Sequence, residues 1–376
     1  MNPTYDKSTP VPNSMMAMKT HTHHHGHSTS SSSPSRRLRL PTRTRTFHVV
    51  CSAHQSSDQS SASVNPSRRE ALLGLGGSAS VSAAVLGGGT TFPYTKPAWA
   101  ASAPANLVGG ERVKLSNGAA FPLASFGLQV YDDETARQLT LVALEVGYRN
   151  FFASVLARNQ RGFAKAVRES DVPRSDIYIC GSVLSNSARG YDAAFALSER
   201  GCKDNMNAMK AGSIEKLDMI MLDYPGPDAA SIRGQWAALE QMKSQGLVDD
   251  LAVSNFTPAQ LDVILEMGGT APVVNQLPFS LANQLPGFID ANRERGILVQ
   301  SWSPLSRLSR SDIALCREIG EAHGNKSPYQ VALRFIVQSG ASFSTQTRSR
   351  THFQEDLDVF DWSLTDDEMA RLRKRA

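Results

Sequence analysis

From Glu111 onward, short apolar runs alternate with stretches whose apolar positions recur at helical spacing, a pattern that predicts a β/α protein. The predicted strands are Ala124–Phe126, Arg149–Ala153, Ile177–Gly181, Met219–Leu222, Leu251–Ser254, Val273–Gln276, Ile297–Ser301 and Ala341–Ser344. Helical patterns lie between them near Glu134–Val146, Gln160–Ser170, Tyr191–Met209, Ala230–Ser244, Pro258–Met267, Leu285–Arg295 and Ser327–Val337. Ser311–His323 reads as an inserted helix, and Arg350–Val359 and Thr365–Lys374 close the chain. Ahead of this series, Val113–Leu115 and Ala120–Pro122 flank Asn117-Gly118, which predicts a hairpin with the positive φ angles of a tight turn. Eight strand-helix units over roughly 250 residues fit a single (β/α)8 TIM barrel with an N-terminal β-hairpin. A doubly wound open sheet is the competing architecture, but no Gly-x-Gly-x-x-Gly follows the first strand. In a barrel of this kind the chemistry sits at the carboxyl ends of the strands.

The first hundred of the 376 residues have a different composition. Residues 1–69 contain two acids, Asp6 and Asp58, among many Ser, Thr, Arg and His, the mark of an organelle transit peptide. Val49-Val50-Cys51-Ser52-Ala53 resembles a stromal processing site, which assigns residues 1–51 to a chloroplast transit peptide. Arg68-Arg69, the weakly apolar Ala71–Val85 and Ala98-Trp99-Ala100-Ala101 then describe a twin-arginine signal over 52–100, cleaved after Ala100. The apolar segment is broken by Gly and Ser and falls short of the ~20 residues needed to span a bilayer, so no stable membrane span is expected after processing. The predicted destination is the thylakoid lumen, with 101–376 as the mature barrel. His21–His27 belongs to the low-complexity leader rather than to a metal site.

Removing the leader changes the charge. Of 39 Lys and Arg and 35 Asp and Glu, 10 and 3 precede residue 101, leaving 29 against 32 in the barrel. The basic pI belongs to the leader, and nothing points to nucleic acid. Three cysteines remain, Cys180, Cys202 and Cys316. With an odd count and no Cys-x-x-Cys, neither a disulfide framework nor a zinc site is indicated. A metal-dependent hydrolase on the same barrel lacks a His/Asp/Glu set at the strand ends.

Six segments, in order, carry a family resemblance: Leu141–Asn150 (LVALEVGYRN), Asp223–Asp228 (DYPGPD), Ala252–Gln260 (AVSNFTPAQ), Val273–Leu277 (VVNQL), Ser301–Leu305 (SWSPL) and Glu355–Asp361 (EDLDVFD). Together they resemble the aldo/keto reductase family over nearly all of 111–376. That family binds NADP(H) across the barrel mouth. The resemblance places Ser254, Asn255 and Gln276 on the nicotinamide carboxamide and Trp302 against the ring, with Ser303 and Leu305 completing that strand end. Amides and hydroxyls suit the task because they both donate and accept. At the adenosine phosphate end the resemblance assigns Gln346, Thr347 and His352 to the positions of a family Lys, Ser/Thr and Arg. Gln346 supplies no cation, which implies weakened binding. Arg348 and Arg350, at a helix N-terminus, either compensate or are solvated charges.

The family's catalytic positions are all changed. The resemblance puts Phe152 at the Asp, Ala157 at the Tyr, Ser182 at the Lys and Asp223 at the His. A one-residue slip does not restore them, since Val155–Gln160 holds no Tyr and Ile177–Asn186 no Lys. The remaining histidines, His323 and His352, fall in helical segments away from the fourth strand. Two functions stay open. In the first, the barrel is a catalytically degenerate module binding a nicotinamide nucleotide or a small carbonyl compound. In the second, it is an NADPH-dependent carbonyl reductase with a rebuilt donor, either Asp223 with a raised pKa or the adjacent Tyr224. The plainer role of Tyr224 is aromatic packing in the pocket wall.

Overall fold

The computed structural model describes residues 111–374; the leader boundaries read above lie outside them. A hairpin, β1 (Arg112–Lys114) and β2 (Ala120–Pro122), comes first. The barrel strands are β3 (Ala124–Gly127), β4 (Asn150–Ala153), β5 (Tyr178–Val183), β6 (Leu217–Leu222), β7 (Val248–Ser254), β8 (Val274–Leu277), β9 (Leu298–Trp302) and β10 (Ala341–Thr345). The helices between β3 and β8 are α1 (Asp133–Val146), α2 (Gln160–Glu169), α3 (Tyr191–Met209), α4 (Ala229–Ser244) and α5 (Pro258–Leu265). Then follow α6 (Phe288–Glu294), α7 (Arg310–Ala322), α8 (Pro328–Gln338), α9 (Arg350–Leu357) and α10 (Asp366–Arg373). All eight barrel strands pair in parallel, and β10 closes onto β3 through Phe343–Ala124, Ser344–Ser125 and Thr345–Phe126. The fold is a (β/α)8 TIM barrel.

Local chemistry sets the ends of the elements. The Asp132 side chain caps α1 by accepting from Thr135 N, and Gly147 at φ 121° ends it. Capping boxes start α5 at Thr257, α7 at Ser309, α8 at Ser327 and α10 at Thr365, and Pro258 and Pro328 occupy the first turns of α5 and α8. Two sequence expectations need correcting. In the hairpin, Gly118 has a positive φ of 92° but Asn117 does not, and Gly118 N donates to Leu115 O at 2.9 Å. The connection is therefore a three-residue loop ending in a left-handed glycine, not a two-residue turn. Helix α6 starts at Phe288 rather than Leu285, because Leu285 at φ 45° and Gly287 at φ 78° turn the chain left-handed first.

The hairpin closes the amino end of the barrel. Phe121 packs edge-on against Tyr178 with ring centroids 5.1 Å apart, and the Tyr178 hydroxyl donates to Asp250 Oδ2 at 2.7 Å. Asn117 of the hairpin donates to the other oxygen of Asp250. With that end covered by the hairpin, the strands' carboxyl ends form the open mouth among the described residues.

On the outer layer, Gly162 of α2 lies directly against α1, where its N–H donates to Asp133 Oδ1 at 2.9 Å and any Cβ would overlap the Asp133 carbonyl. Gly162→Ala is expected to lower the unfolding free energy by about 2 kcal/mol, within the usual range for overpacking. Urea denaturation checks this, and an unchanged midpoint would contradict the packing described.

Candidate functional site at the barrel mouth

The four positions that the resemblance equates with catalytic residues converge on one quadrant of the mouth, at the ends of β4, β5 and β6. Phe152 is 2% exposed on β4, and Ala157 ends a 3-10 turn, Val155–Ala157, just after that strand. Ser182 is fully buried on β5. Its Oγ accepts from Val155 N at 3.2 Å and donates to Ser154 Oγ at 3.3 Å, while Ser154 Oγ accepts from Leu156 N at 3.2 Å. Two hydroxyls thus hold the turn in place, and Ser182, which the resemblance equates with the family's lysine, serves as a structural tie. Ser154 was not singled out from the sequence, because a lone Ser at a strand end carries no signal of its own.

Asp223 follows β6 directly and is 6% exposed, with its N–H donating to Val183 O at 2.8 Å. Burial pushes its carboxyl up to about 7, and the neighbouring Ser254 hydroxyl pulls part of the way back. Burial followed by the Asp223 charge also raises Tyr224, and burial followed by that same charge raises Cys180 well above a thiol's ordinary value. Tyr224 itself is 39% exposed, on the rim.

The residues assigned to the nicotinamide stand opposite. Asn255 Nδ2 donates to Ser254 Oγ at 2.9 Å, and Trp302 Nε1 donates to Asn255 Oδ1 at 3.2 Å. Gln276 Nε2 donates to Gln300 Oε1 at 2.7 Å. Asn255 and Ser303 adopt left-handed backbone, φ 64° and 51°, which costs energy away from glycine and gathers at functional sites. Asn275 on β8 stabilises the first of these, its Nδ2 donating to Phe256 O at 2.9 Å. Leu305 packs half-buried against the core beneath this edge. A half-buried indole flanked by a hydroxyl and primary amides has the donors and acceptors to hold an aromatic ring bearing a carboxamide, so this half of the site fits a nicotinamide. Gln300 and Asn275 are polar residues buried within strands, a signal that the sequence offered but their runs of apolar neighbours masked.

At the other end of the mouth, the loop after β10 has its side chains engaged within the protein. Gln346 Nε2 donates to Gln129 Oε1 at 2.5 Å, and Thr347 Oγ1 lies 3.2 Å from His352 Nδ1. Arg348 sits over the Tyr131 ring at 5.2 Å, and Arg350 forms a two-pronged ion pair with Glu145, both bonds 2.8 Å. That pair is solvent-exposed and therefore weak, so Arg350 can be drawn from it by a stronger anion. Beneath the loop, α9 is docked by Phe353 against Phe126 and by Asp356, which receives the Tyr148 hydroxyl at 3.2 Å. Burial raises Asp356 to about 7, opposed by the Thr345 and Tyr148 hydroxyls. Among the described residues no cluster of His, Cys, Asp and Glu converges as a cation site, and no helix is long and apolar enough to cross a membrane.

Comparison with known proteins agrees with this geometry. The aldo/keto reductase family profile matches residues 120–376. The chain belongs to the aldo/keto reductase family. Its curated relatives include the glyoxal reductase of Bacillus subtilis, 29% identical over 265 residues, which cover 70% of this chain and 91% of that protein. The 9,11-endoperoxide prostaglandin H2 reductase of Trypanosoma cruzi is also 29% identical over 265 residues, 69% of this chain and 89% of that one. A crystal structure of an aldo/keto reductase from Brucella melitensis superposes with a TM-score of 0.64 at 25% identity, over 71% of this chain and 100% of that chain. A Bombyx mori aldo-keto reductase solved in complex with NADP shares the fold, with a TM-score of 0.64 at 18% identity over 71% and 93% of the two chains.

Two buried carboxyls make the stability of this aldo/keto reductase depend on pH. Unfolded, Asp223 and Asp356 release their protons near 3.8; folded, they hold them to about 7. Between those values the folded state binds more protons, so the stability they contribute is complete below pH 4 and lost as pH rises to 7. The slope is up to about 1.4 kcal/mol per pH unit for each group. The urea midpoint is expected to fall between pH 5 and pH 7, and Asp356→Asn is expected to halve the slope. A midpoint that is flat or rises over this range in the native protein would contradict the burial of these groups.

Proposed function

We propose that this protein is a nicotinamide-nucleotide-binding aldo/keto reductase that has lost the family's proton-donating machinery and works as a binding module in the thylakoid lumen. The observation that carries this reading is Ser182, whose hydroxyl is committed to the turn bearing Ala157. At these positions the family resemblance implies a tyrosine hydroxyl as proton donor, its pKa lowered by a neighbouring lysine. The side chains present are Phe152, Ala157 and Ser182, which provide no such hydroxyl and no cation. Binding is supported by Ser254, Asn255, Gln276 and Trp302 at one end, with Ser303 shaping the strand end, and by Thr347, Arg348 and Arg350 at the other. NADP(H) is the family's nucleotide, and the silkworm relative was solved with NADP. A bound reduced nucleotide would supply a hydride to a carbonyl carbon only where a proton donor stood beside it.

A second reading keeps the enzyme active, and Asp223 is the observation in its favour. With its carboxyl raised to about 7, a neutral acid stands at the mouth in weakly acidic solution, able to give a proton to a small carbonyl compound. The one buried carboxyl of the mouth, neutral in weakly acidic solution, also suits the low pH of an illuminated lumen, which the leader's transit and twin-arginine features support as the destination. The protein recovered from its native plastid is expected to begin at Ala101, which terminal sequencing checks; a chain still carrying residues 52–100 would remove the lumen from the proposal.

Aldehyde reduction with NADPH, run beside the Bacillus glyoxal reductase, separates the two readings. At pH 7.5 the native protein is expected to turn over at least about 10²-fold more slowly, the usual contribution of a lost general acid. The combined variant Phe152→Asp, Ala157→Tyr, Ser182→Lys, Asp223→His is expected to recover at least that factor. Comparable native rates would refute the binding-module reading. A rate that climbs toward pH 5 and disappears in Asp223→Ala would establish the second one.

A further inference from the structure

Hydrogen bonds at the mouth link Ser254, Asn255 and the indole, and the buried carboxyl of Asp223 neighbours the serine end of that series. Trp302 Nε1 can only donate, so Asn255 must turn its Oδ1 to the indole and its NH2 toward Ser254. Ser254 Oγ therefore accepts from Asn255 at 2.9 Å, which leaves its single proton available to the neighbouring Asp223 carboxylate. An ionised Asp223 fits this polarity. A protonated Asp223 donates to Ser254 instead and releases the serine hydrogen toward the mouth. The charge state of one carboxyl thus sets both the local potential and the donor direction of a residue assigned to the carboxamide.

The surroundings leave that charge uncompensated. From β5 the titratable group facing Asp223 is Cys180, a buried thiol held neutral, with Ser182 and Val183 beside it. From its own loop the group is Tyr224, a phenol raised by burial and so also neutral; from β7 it is the Ser254 hydroxyl. Among the described residues no cation contributes to the state of this carboxyl. An ionised Asp223 is therefore a bare negative charge in a low-dielectric mouth, where a nearby positive charge is felt far more strongly than in water. The two redox forms of a nicotinamide nucleotide differ in one such charge: the oxidised ring is cationic and the reduced ring neutral.

We infer that Asp223 makes this mouth a pH-dependent selector between the redox forms of the nucleotide, taking the oxidised form when the carboxyl is ionised and the reduced form when it is protonated. The inference rests on the nicotinamide reading proposed above and adds the regulation of that site. By linkage, binding of the oxidised form lowers the carboxyl's pKa and expels a proton, while binding of the reduced form does not. Both forms carry the same phosphates, so any charge effect at the adenosine end, His352 and Arg350 included, cancels when the two affinities are divided. At acidic pH the protein holds the reduced nucleotide; as pH rises it exchanges it for the oxidised one. This behaviour suits a sensor of combined acidity and redox state and requires no turnover.

The test is a pair of calorimetric titrations of the purified full-length protein with NADP+ and NADPH at pH 5.5, 7.0 and 8.5, in buffers of different ionisation enthalpy. The ratio of the NADP+ to the NADPH association constant is expected to rise at least about tenfold across the range, one tenfold for each unit by which the pKa separates between the two complexes. Proton release is expected with NADP+ near pH 7. Asp223→Asn should abolish both the slope and the release, and Ser254→Ala should move the midpoint to higher pH by removing the hydroxyl that favours the ionised form. A flat ratio in the native protein, or a slope that survives in Asp223→Asn, overturns the inference while leaving the nucleotide site standing. Binding of neither nucleotide overturns the nicotinamide reading and the inference with it.

Discussion

Closure of β10 onto β3 is the constraint on which the rest of this molecule depends. It removes the sheet edges and satisfies the strands' backbone groups within the ring. It also forces alternate residues of eight strands into a common interior. Because the β1–β2 hairpin plugs the amino end through Phe121, Tyr178, Asn117 and Asp250, whatever chemistry the interior offers must appear at the opposite rim. Ser182, Asp223, Ser254, Gln276 and Trp302 meet there although they span more than a hundred positions of sequence. Strand register brings them together, so replacing them one at a time leaves the scaffold intact.

Under the proposed function, that independence lets the mouth keep one function's residues while lacking another's. The half of the rim built by β7, β8 and β9 is stabilised by polar contacts that hold Asn255 in a strained backbone and fix the amide of Gln276 against Gln300. On the proposed reading, the half built by β4, β5 and β6 lacks the family's lysine and tyrosine and carries one carboxyl, Asp223. A buried lysine and carboxylate at these positions would need each other to offset desolvation, so losing one removes the reason for the other. Phe152 and the Ser182–Ser154 tie avoid that cost altogether. Asp223 remains as an ionisable group with no counter-charge, and its raised pKa follows from that isolation.

Most of the fold was legible in the sequence. All eight barrel strands lie where the apolar runs placed them, to within a few residues at each end, because a strand covered on both faces has little freedom in composition. The misplaced start of α6 has a local cause: Leu285 and Gly287 turn left-handed, and a leucine gives no warning of that. The site was legible as a set of positions but not as a set of interactions. The resemblance pointed to Ser182, and the helix N-terminus after the last strand pointed to Arg350. It said nothing of the 3-10 turn that claims the first or of Glu145, which pairs with the second from a helix two hundred positions away. Asp356 likewise drew attention only as part of a matched segment, since its burial on the inner face of α9 with Tyr148 and Thr345 depends on tertiary packing.

A crystal structure of the protein grown with NADPH tests the central claim most directly, because it reads both halves of the mouth at once. The expected result is a nicotinamide ring stacked on Trp302, its carboxamide bonded to Ser254, Asn255 and Gln276, with only Asp223 and Tyr224 near the ring's reactive face. A nucleotide lodged elsewhere on the barrel would contradict the retained pocket. A lysine, histidine or further tyrosine brought to the ring by rearrangement of the loops would contradict the loss of the family's proton-donating machinery.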